Sequence, residues 1–242
     1  MFEGHQKIER NLFVLLVLTM VVAAIGGMVE ILPLFKQEVA IERVEGLRAY
    51  TPLELAGFRI YKREGCYGCH SQQIRALRDE VERYGHYSLA AESMYDFPFM
   101  WGSKRTGPDL ARVGGKYSDD WQVAHLIAPR SLVPESIMPH YPFLATATLD
   151  TYKVQRIMQI NKMVGVPYTD EDIAIALQDI EVQLGMKEDA ALVESFKKRY
   201  PNAVIRKFNK QSPIVTEMDA LVAYLQSLGN RIDLKTNKGR DW

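Results

Sequence analysis

Thr51-Pro52-Leu53-Glu54-Leu55-Ala56-Gly57-Phe58-Arg59-Ile60-Tyr61-Lys62-Arg63-Glu64-Gly65-Cys66-Tyr67-Gly68-Cys69-His70 is the stretch that decides the fold. Thr is a good helix N-cap, Pro is tolerated at the first helical position, and Glu at the third closes a capping box. Leu53, Gly57, Ile60 and Tyr61 recur at helical spacing and give the helix one packing face. The helix should run to about Glu64 and stop at Gly65. A C-x-x-C-H follows at once. Two thiols separated by two residues can each add to one haem vinyl group, and the adjacent imidazole then reaches the iron from the same turn. Both cysteines of the chain fall inside this motif. A disulfide between Cys66 and Cys69 would close a tiny loop and constrain little. A zinc site would want a fourth ligand. A redox C-x-x-C normally opens a helix within a βαβ pattern, and no strand-like alternation appears here. The motif therefore predicts one covalently bound haem c, with thioethers at Cys66 and Cys69 and His70 as an axial iron ligand.

The sixth ligand must lie downstream, where Met94, Met100, Met138, Met158, Met163, Met186, Met218, His86, His125 and His140 are available. Met138 stands out because Pro134, Pro139 and Pro142 bracket it. Such a segment cannot be regular helix and suits an extended loop across a haem face. A thioether is a soft, neutral ligand that favours ferrous iron. His140, two residues on, is the main rival and would give a lower-potential bis-His site.

Working outward, Leu12 to Phe35 is apolar enough for a transmembrane anchor. It is 24 residues long, about 36 Å as a helix at about 1.5 Å per residue, against a hydrocarbon core of about 30 Å. Its apolar run exceeds that of a cleaved signal peptide. Lys7 and Arg10 precede it, so residues 1–11 are expected in the cytoplasm and the remainder outside. Residues 36–50 are charged and mixed and read as a stalk. The 242 residues carry 30 Lys+Arg and 30 Asp+Glu, a net charge of zero. That excludes nucleic-acid binding driven by a basic excess.

Downstream, Ser118 can cap a helix over Asp119–Ile127 that Pro129 ends. Residues 150–165 should be helical with Tyr152, Ile157 and Ile160 inward. Thr169 can cap a helix carrying Ile173, Leu177, Ile180 and Leu184 on one face. A further helix is expected over residues 188–199.

The first helix, the C-x-x-C-H, Gly107-Pro108-Asp109-Leu110, Met138-Pro139 and the last helix around Met218–Gly229 together resemble a class I cytochrome c. That resemblance implies that the first and last helices cross beside the haem, with Gly57 and Tyr61 meeting Leu221 and Tyr224. It also implies that the Pro108 carbonyl accepts a hydrogen bond from His70 and fixes its tautomer. A narrower resemblance rests on the block from Arg75 to Pro142, including Arg83-Tyr84-Gly85-His86-Tyr87, Met94-Tyr95, and Trp101 through Tyr117. It is similar to the membrane-anchored monohaem subunit (subunit II) of cbb3-type cytochrome c oxidases.

The expected architecture is therefore mainly α: one N-terminal transmembrane helix plus an enlarged class I cytochrome c domain. That domain would span residues 51–242, with insertions at about 71–106 and 145–213. The family resemblance implies a bacterial inner-membrane protein with a periplasmic cytochrome domain. Its implied partners are a haem-copper catalytic subunit with b-type haems and copper, a dihaem cytochrome c subunit, and membrane lipid. Electrons would pass through its haem toward oxygen reduction, coupled to proton pumping. Arg112, Tyr117 and Trp121 are candidate propionate contacts, as an ion-pair partner and two donors. Residues 83–105 are rich in Tyr, Trp, Phe, Met and Arg. That composition favours a partner interface over a loop packed on its own domain. A donor subunit of a nitric oxide reductase-like complex and a free-standing anchored shuttle are the competing functional readings.

Overall fold

A computed structural model of the chain describes residues 3–34 and 46–232. It is mainly helical, with no named strand among the described residues and one isolated antiparallel bridge, Thr148–Thr216. The chain divides into two units, residues 1–43 and 44–242.

In the N-terminal unit α1 (Glu3–Arg10) precedes α2 (Leu12–Leu34). The sequence reading did not anticipate α1. Asn11 separates the two helices, its Oδ1 accepting from Val14 N at 3.2 Å as an N-cap does. The apolar span Leu12–Pro33 has 22 residues, about 33 Å of helix, and its own unit buries none of it. A helix apolar all round finds its low-energy surroundings in lipid. This helix fits a single-pass membrane anchor. Phe35 and residues 36–45, read as the anchor's end and most of the stalk, lie outside the described residues.

The second unit contains α3 (Pro52–Arg63), α4 (Arg78–Tyr84), α5 (Asp119–Ile127), α6 (Pro129–Leu132), α7 (Thr151–Met163), α8 (Asp170–Ala174), α9 (Ala176–Gln183), α10 (Ala190–Arg199) and α11 (Glu217–Ser227). The predicted capping box forms: Glu54 N donates to Thr51 Oγ1 at 3.1 Å, and Thr51 N to Glu54 Oε2 at 3.0 Å. Helix α3 ends at Arg63, and Gly65 turns the chain with φ +71°. A matching box, Thr216 with Asp219, starts α11.

Helices α3 and α11 form the central packing pair. A Cβ on Gly57 would lie 1.9 Å from Ala220 O and 2.6 Å from Tyr224 Cβ, so only Gly lets the backbones come this close. Ala220 and Tyr224 thus stand opposite Gly57, while the Tyr61 and Tyr224 rings meet at 5.4 Å. Gly57→Ala is expected to destabilise the domain by about 1–3 kcal/mol through overpacking. Arg59→Ala, at an exposed position of the same helix, should stay within about 0.5 kcal/mol. Thermal melts of the two variants compare them directly.

Residues 47–50 are not stalk. Leu47, Arg48 and Tyr50 are buried. Arg48 Nη1 and Nη2 donate to the two Glu54 oxygens at 2.6 and 2.8 Å. Tyr168 OH donates to Tyr50 O at 2.7 Å, and Arg231 lies 3.8 Å over the Tyr50 ring. The charged, mixed composition of residues 36–50 suggests a stalk, whereas the Arg48 charge is taken up by Glu54 of α3.

The insertion over residues 145–213 supplies α7 to α10. Helix α7 buries Val154, Met158 and Asn161. Tyr152 and Ile160 are exposed, contrary to their expected inward positions. The inward set follows i, i+4, i+7 but contains an Asn, so a count of apolar residues selects the wrong face. The helix expected from Thr169 is divided at Ile175, with Ile173, Ile180 and Leu184 still buried. Helix α10 is capped by Asp189 and tied to α9 by the Arg199–Asp179 pair.

The other insertion, residues 71–106, packs on its own domain. Arg105 donates to Ser71 Oγ (2.8 Å), Gln73 O (2.7 Å) and Glu80 Oε2 (2.7 Å). Glu80 also pairs with Arg75. Trp101 stacks on Phe99 and donates to Ser93 Oγ at 3.1 Å. Tyr84, Tyr87, Tyr95, Phe97, Phe99 and Trp101 are all half-buried and Met100 is buried. The segment is thus ordered on its own domain, with its aromatic rings still partly accessible.

Candidate functional site

The left-handed turn at Gly65 delivers α3 into a 3₁₀ turn over Cys66–Gly68. His70 N and Cys69 N both donate to Cys66 O, at 2.9 and 3.1 Å, which fixes the three side chains on one short loop. Cys66 is half-buried and Cys69 exposed. Burial, with Glu64 nearby as the next cause, pushes the Cys66 thiol up to about 12. Among the described residues no cluster of three or more His, Cys, Asp or Glu is placed to hold a bare metal ion.

Facing the motif is the segment Gly107–Leu110. His70 Nδ1 lies 2.8 Å from Pro108 O, so the Nδ1–H tautomer donates there and leaves Nε2 as the free lone pair. Gly107 N donates to Cys69 O at 3.0 Å and Leu110 N to Ser71 O at 2.9 Å. Asp109 accepts from Ser71 Oγ at 2.6 Å and from Gln73 N at 2.9 Å. A Cβ on Gly107 would lie 2.2 Å from His70 Cε1. The imidazole therefore rests flat on a glycine with its carbonyl partner one residue on.

Both segments open on a cleft of about 900 Å3, part of it continuous with solvent. Cys66, His70, Pro108, Arg112, Tyr117, Trp121 and Met138 all line it. The structure thus brings together every sequence-selected site residue except the exposed Cys69, which the turn places beside Cys66. Leu110, Val113, Leu126, Leu221 and Leu225 give the cleft apolar walls. Such walls with thiol, imidazole and thioether groups at one cavity fit a haem.

Not all of these side chains are equally available. Arg112 donates to both Glu92 carboxylate oxygens at 2.6 and 2.7 Å, so its charge is already paired. Tyr117 stacks on Trp121 (4.1 Å, 16°) and Trp121 on His125 (4.7 Å, 11°). Trp121 and His125 are four apart and share one side of α5, and Tyr117, just before its cap, extends the same stack. That helix starts at Ser118, whose Oγ accepts from Trp121 N at 3.2 Å.

Of the possible sixth ligands, Met138 and His125 line the cleft. His140, the expected rival, is exposed and not among its lining residues. Met158 and Met218 belong to the packed core, and Met163 and Met186 are exposed. Burial, and secondarily the nearby His70, holds the His125 ring below its ordinary pKa. The buried Gln122 also lines the cleft, and both its polar side-chain atoms are without a hydrogen-bond partner. Gln122 escaped the sequence reading. The one available signal was its place three residues before His125 in a helix entering a cofactor cleft.

Comparison with curated proteins returned no match. The family model described as cytochrome c oxidase, mono-heme subunit/FixO, matches residues 5–232, including the helical insertion over residues 145–213. Its members are membrane-anchored c-type cytochromes, in keeping with α2 and with the apolar cleft beside C-x-x-C-H. The chain belongs to the FixO family, the monohaem cytochrome c subunit of cbb3-type cytochrome c oxidase.

Proposed function

We propose that this chain carries one haem c, joined through Cys66 and Cys69 and ligated by His70 and Met138. It would relay electrons to the haem-copper catalytic subunit of a cbb3-type oxidase. The observation that carries this reading is the convergence of Cys66, His70 and Met138 on one apolar cleft, in a chain of this family. A bound haem supplies a one-electron iron couple. The residues around it have separable tasks. Pro108 O orients His70 and strengthens its donation. The leucine walls limit water at the site. Trp121 and Tyr117 offer an N–H and an O–H for propionates, with Arg112 a weaker candidate because of Glu92.

The proposed setting is the bacterial inner membrane, with residues 1–11 cytoplasmic, residues 12–35 as anchor and the cytochrome domain periplasmic. The dihaem cytochrome c subunit and the b-haem and copper centres of the catalytic subunit complete the assembly, which would reduce oxygen to water and pump protons. Purification of the tagged chain in mild detergent tests this. A visible spectrum showing b-type as well as c-type haem, with copper in the same fraction, is expected. A chain that comes away alone with c-type haem only would identify a free-standing shuttle instead.

A further inference from the structure

We propose that His125 is a built-in alternative axial ligand, placed to bind the iron whenever Met138 withdraws. The inference rests on Met138 being the resting sixth ligand. Apart from Cys66, taken up by its thioether, four cleft-lining side chains offer a nitrogen or sulfur suited to iron: His70, Met138, His125 and Lys116, of which Lys116 is exposed and lies over the Tyr117 ring. His70 is committed to Pro108. The Nδ1 of His125 is buried with no hydrogen-bond partner and is closed to the cleft, so Nε2 is the ring nitrogen that can serve the cleft. Its ring plane is fixed by stacking on Trp121.

The two alternative donors differ in how they are held. His125 lies inside α5, whose capped backbone keeps it at the cleft wall. Met138 sits in a loop without regular structure. That loop is tethered by Arg130 Nε to Ser136 O (2.9 Å), Met138 N to Ser136 Oγ (3.2 Å) and Tyr141 N to Leu126 O (2.8 Å). Ile137 beside it is 73% exposed. A segment with so few bonds and so little burial opens locally far below the cost of global unfolding. When it opens, one iron–sulfur coordination bond breaks and one iron–nitrogen bond forms. A neutral imidazole replaces a neutral thioether, so no electron or proton need be exchanged. Imidazole is the stronger donor and stabilises ferric iron, so the switched state has the lower potential and transfers electrons less readily. The loop would thereby set whether the haem can pass electrons forward.

The test uses the haem-loaded full chain in its detergent-solubilised complex. Electron paramagnetic resonance and near-infrared spectra are recorded for the native protein, Met138→Leu, Met138→Leu/His125→Leu and Met138→Leu/His140→Leu. The native protein should show the sulfur-to-iron charge-transfer band. Its absence would overturn the Met138 assignment itself. Met138→Leu should lose that band yet remain low-spin with a bis-imidazole signature and a lowered potential. Adding His125→Leu should convert it to high-spin, whereas adding His140→Leu should change nothing. A native band together with a high-spin Met138→Leu, or a double His125 variant that stays low-spin, would overturn the His125 proposal alone.

Discussion

Replacing Cys66 and Cys69 together by Ala is expected to remove all haem from the denatured polypeptide. Thioethers survive unfolding, whereas axial coordination does not, so a haem-stained denaturing gel isolates the covalent contribution. Normalised to the amount of chain, staining should fall from full to none in the double variant. Each single variant should retain one thioether and an intermediate signal. The two cysteines are not equivalent. Cys69 is exposed, whereas Cys66 is half-buried and in contact with the core that α3 and α11 share. Cys66→Ala should therefore lower accumulation of the folded protein more than Cys69→Ala does. Staining that persists at the mass of this chain in the double variant would remove the cytochrome c reading altogether. No other pair of thiols exists in the sequence to take over.

The parts of the fold that could be read in advance are those whose chemistry is local. Thr51, Pro52 and Glu54 specify the start of α3 within four residues, and Gly65 specifies its end, because caps and left-handed turns depend on few neighbours. Ser118 does the same for α5. The C-x-x-C-H is equally self-contained, and so is the Pro-bracketed position of Met138. What failed is what long-range partners decide. Tyr152 and Ile160 were expected inward because they are apolar, but the face of α7 is chosen by Val154, Met158 and Asn161. Residues 36–50 read as a stalk because they are charged and mixed, but Arg48 pairs with Glu54, which also serves the helix cap.

The same division holds inside the cleft. Residue types pointed to Arg112, a good propionate partner in isolation, yet Glu92 from 20 positions earlier already holds its guanidinium. They ranked His140 above His125 because it neighbours Met138 in sequence. The fold reverses that order: α5 carries His125 to the cleft wall, while the loop leaves His140 exposed. The aromatic segment 83–105 was read by composition as an interface. Its rings are half-buried, and Arg83 and Arg105, which composition had counted toward the partner, both lie over the Tyr84 ring.

Glu54→Leu is expected to cost about 3–5 kcal/mol, the usual consequence of removing one member of a buried ion pair. It leaves the Arg48 guanidinium unpaired at a site where both side chains are at most 3% exposed. It also deletes the acceptor for Thr51 N, so α3 loses half of its capping box. For a domain of this size each kcal/mol shifts the melting temperature by about 2–4 °C, so the holoprotein should melt about 6–20 °C lower. Arg48→Met/Glu54→Leu provides the internal control. Replacing both charges by apolar groups removes the desolvation cost along with the attraction, and most of the lost stability should return. The residual deficit would be the unreciprocated cap, about 1 kcal/mol. Rescue by the double variant separates an unpaired charge from a simple packing defect, which a second substitution would deepen. An unchanged melting temperature in Glu54→Leu would show that residues 47–50 are not fixed to the domain. The outcome bears on function through geometry, because α3 runs directly from this ion pair into Gly65 and the haem-attachment turn. A loosened start to α3 should therefore appear at its other end as less complete haem staining per chain, while the α5 wall that carries Trp121 and His125 keeps its own cap at Ser118.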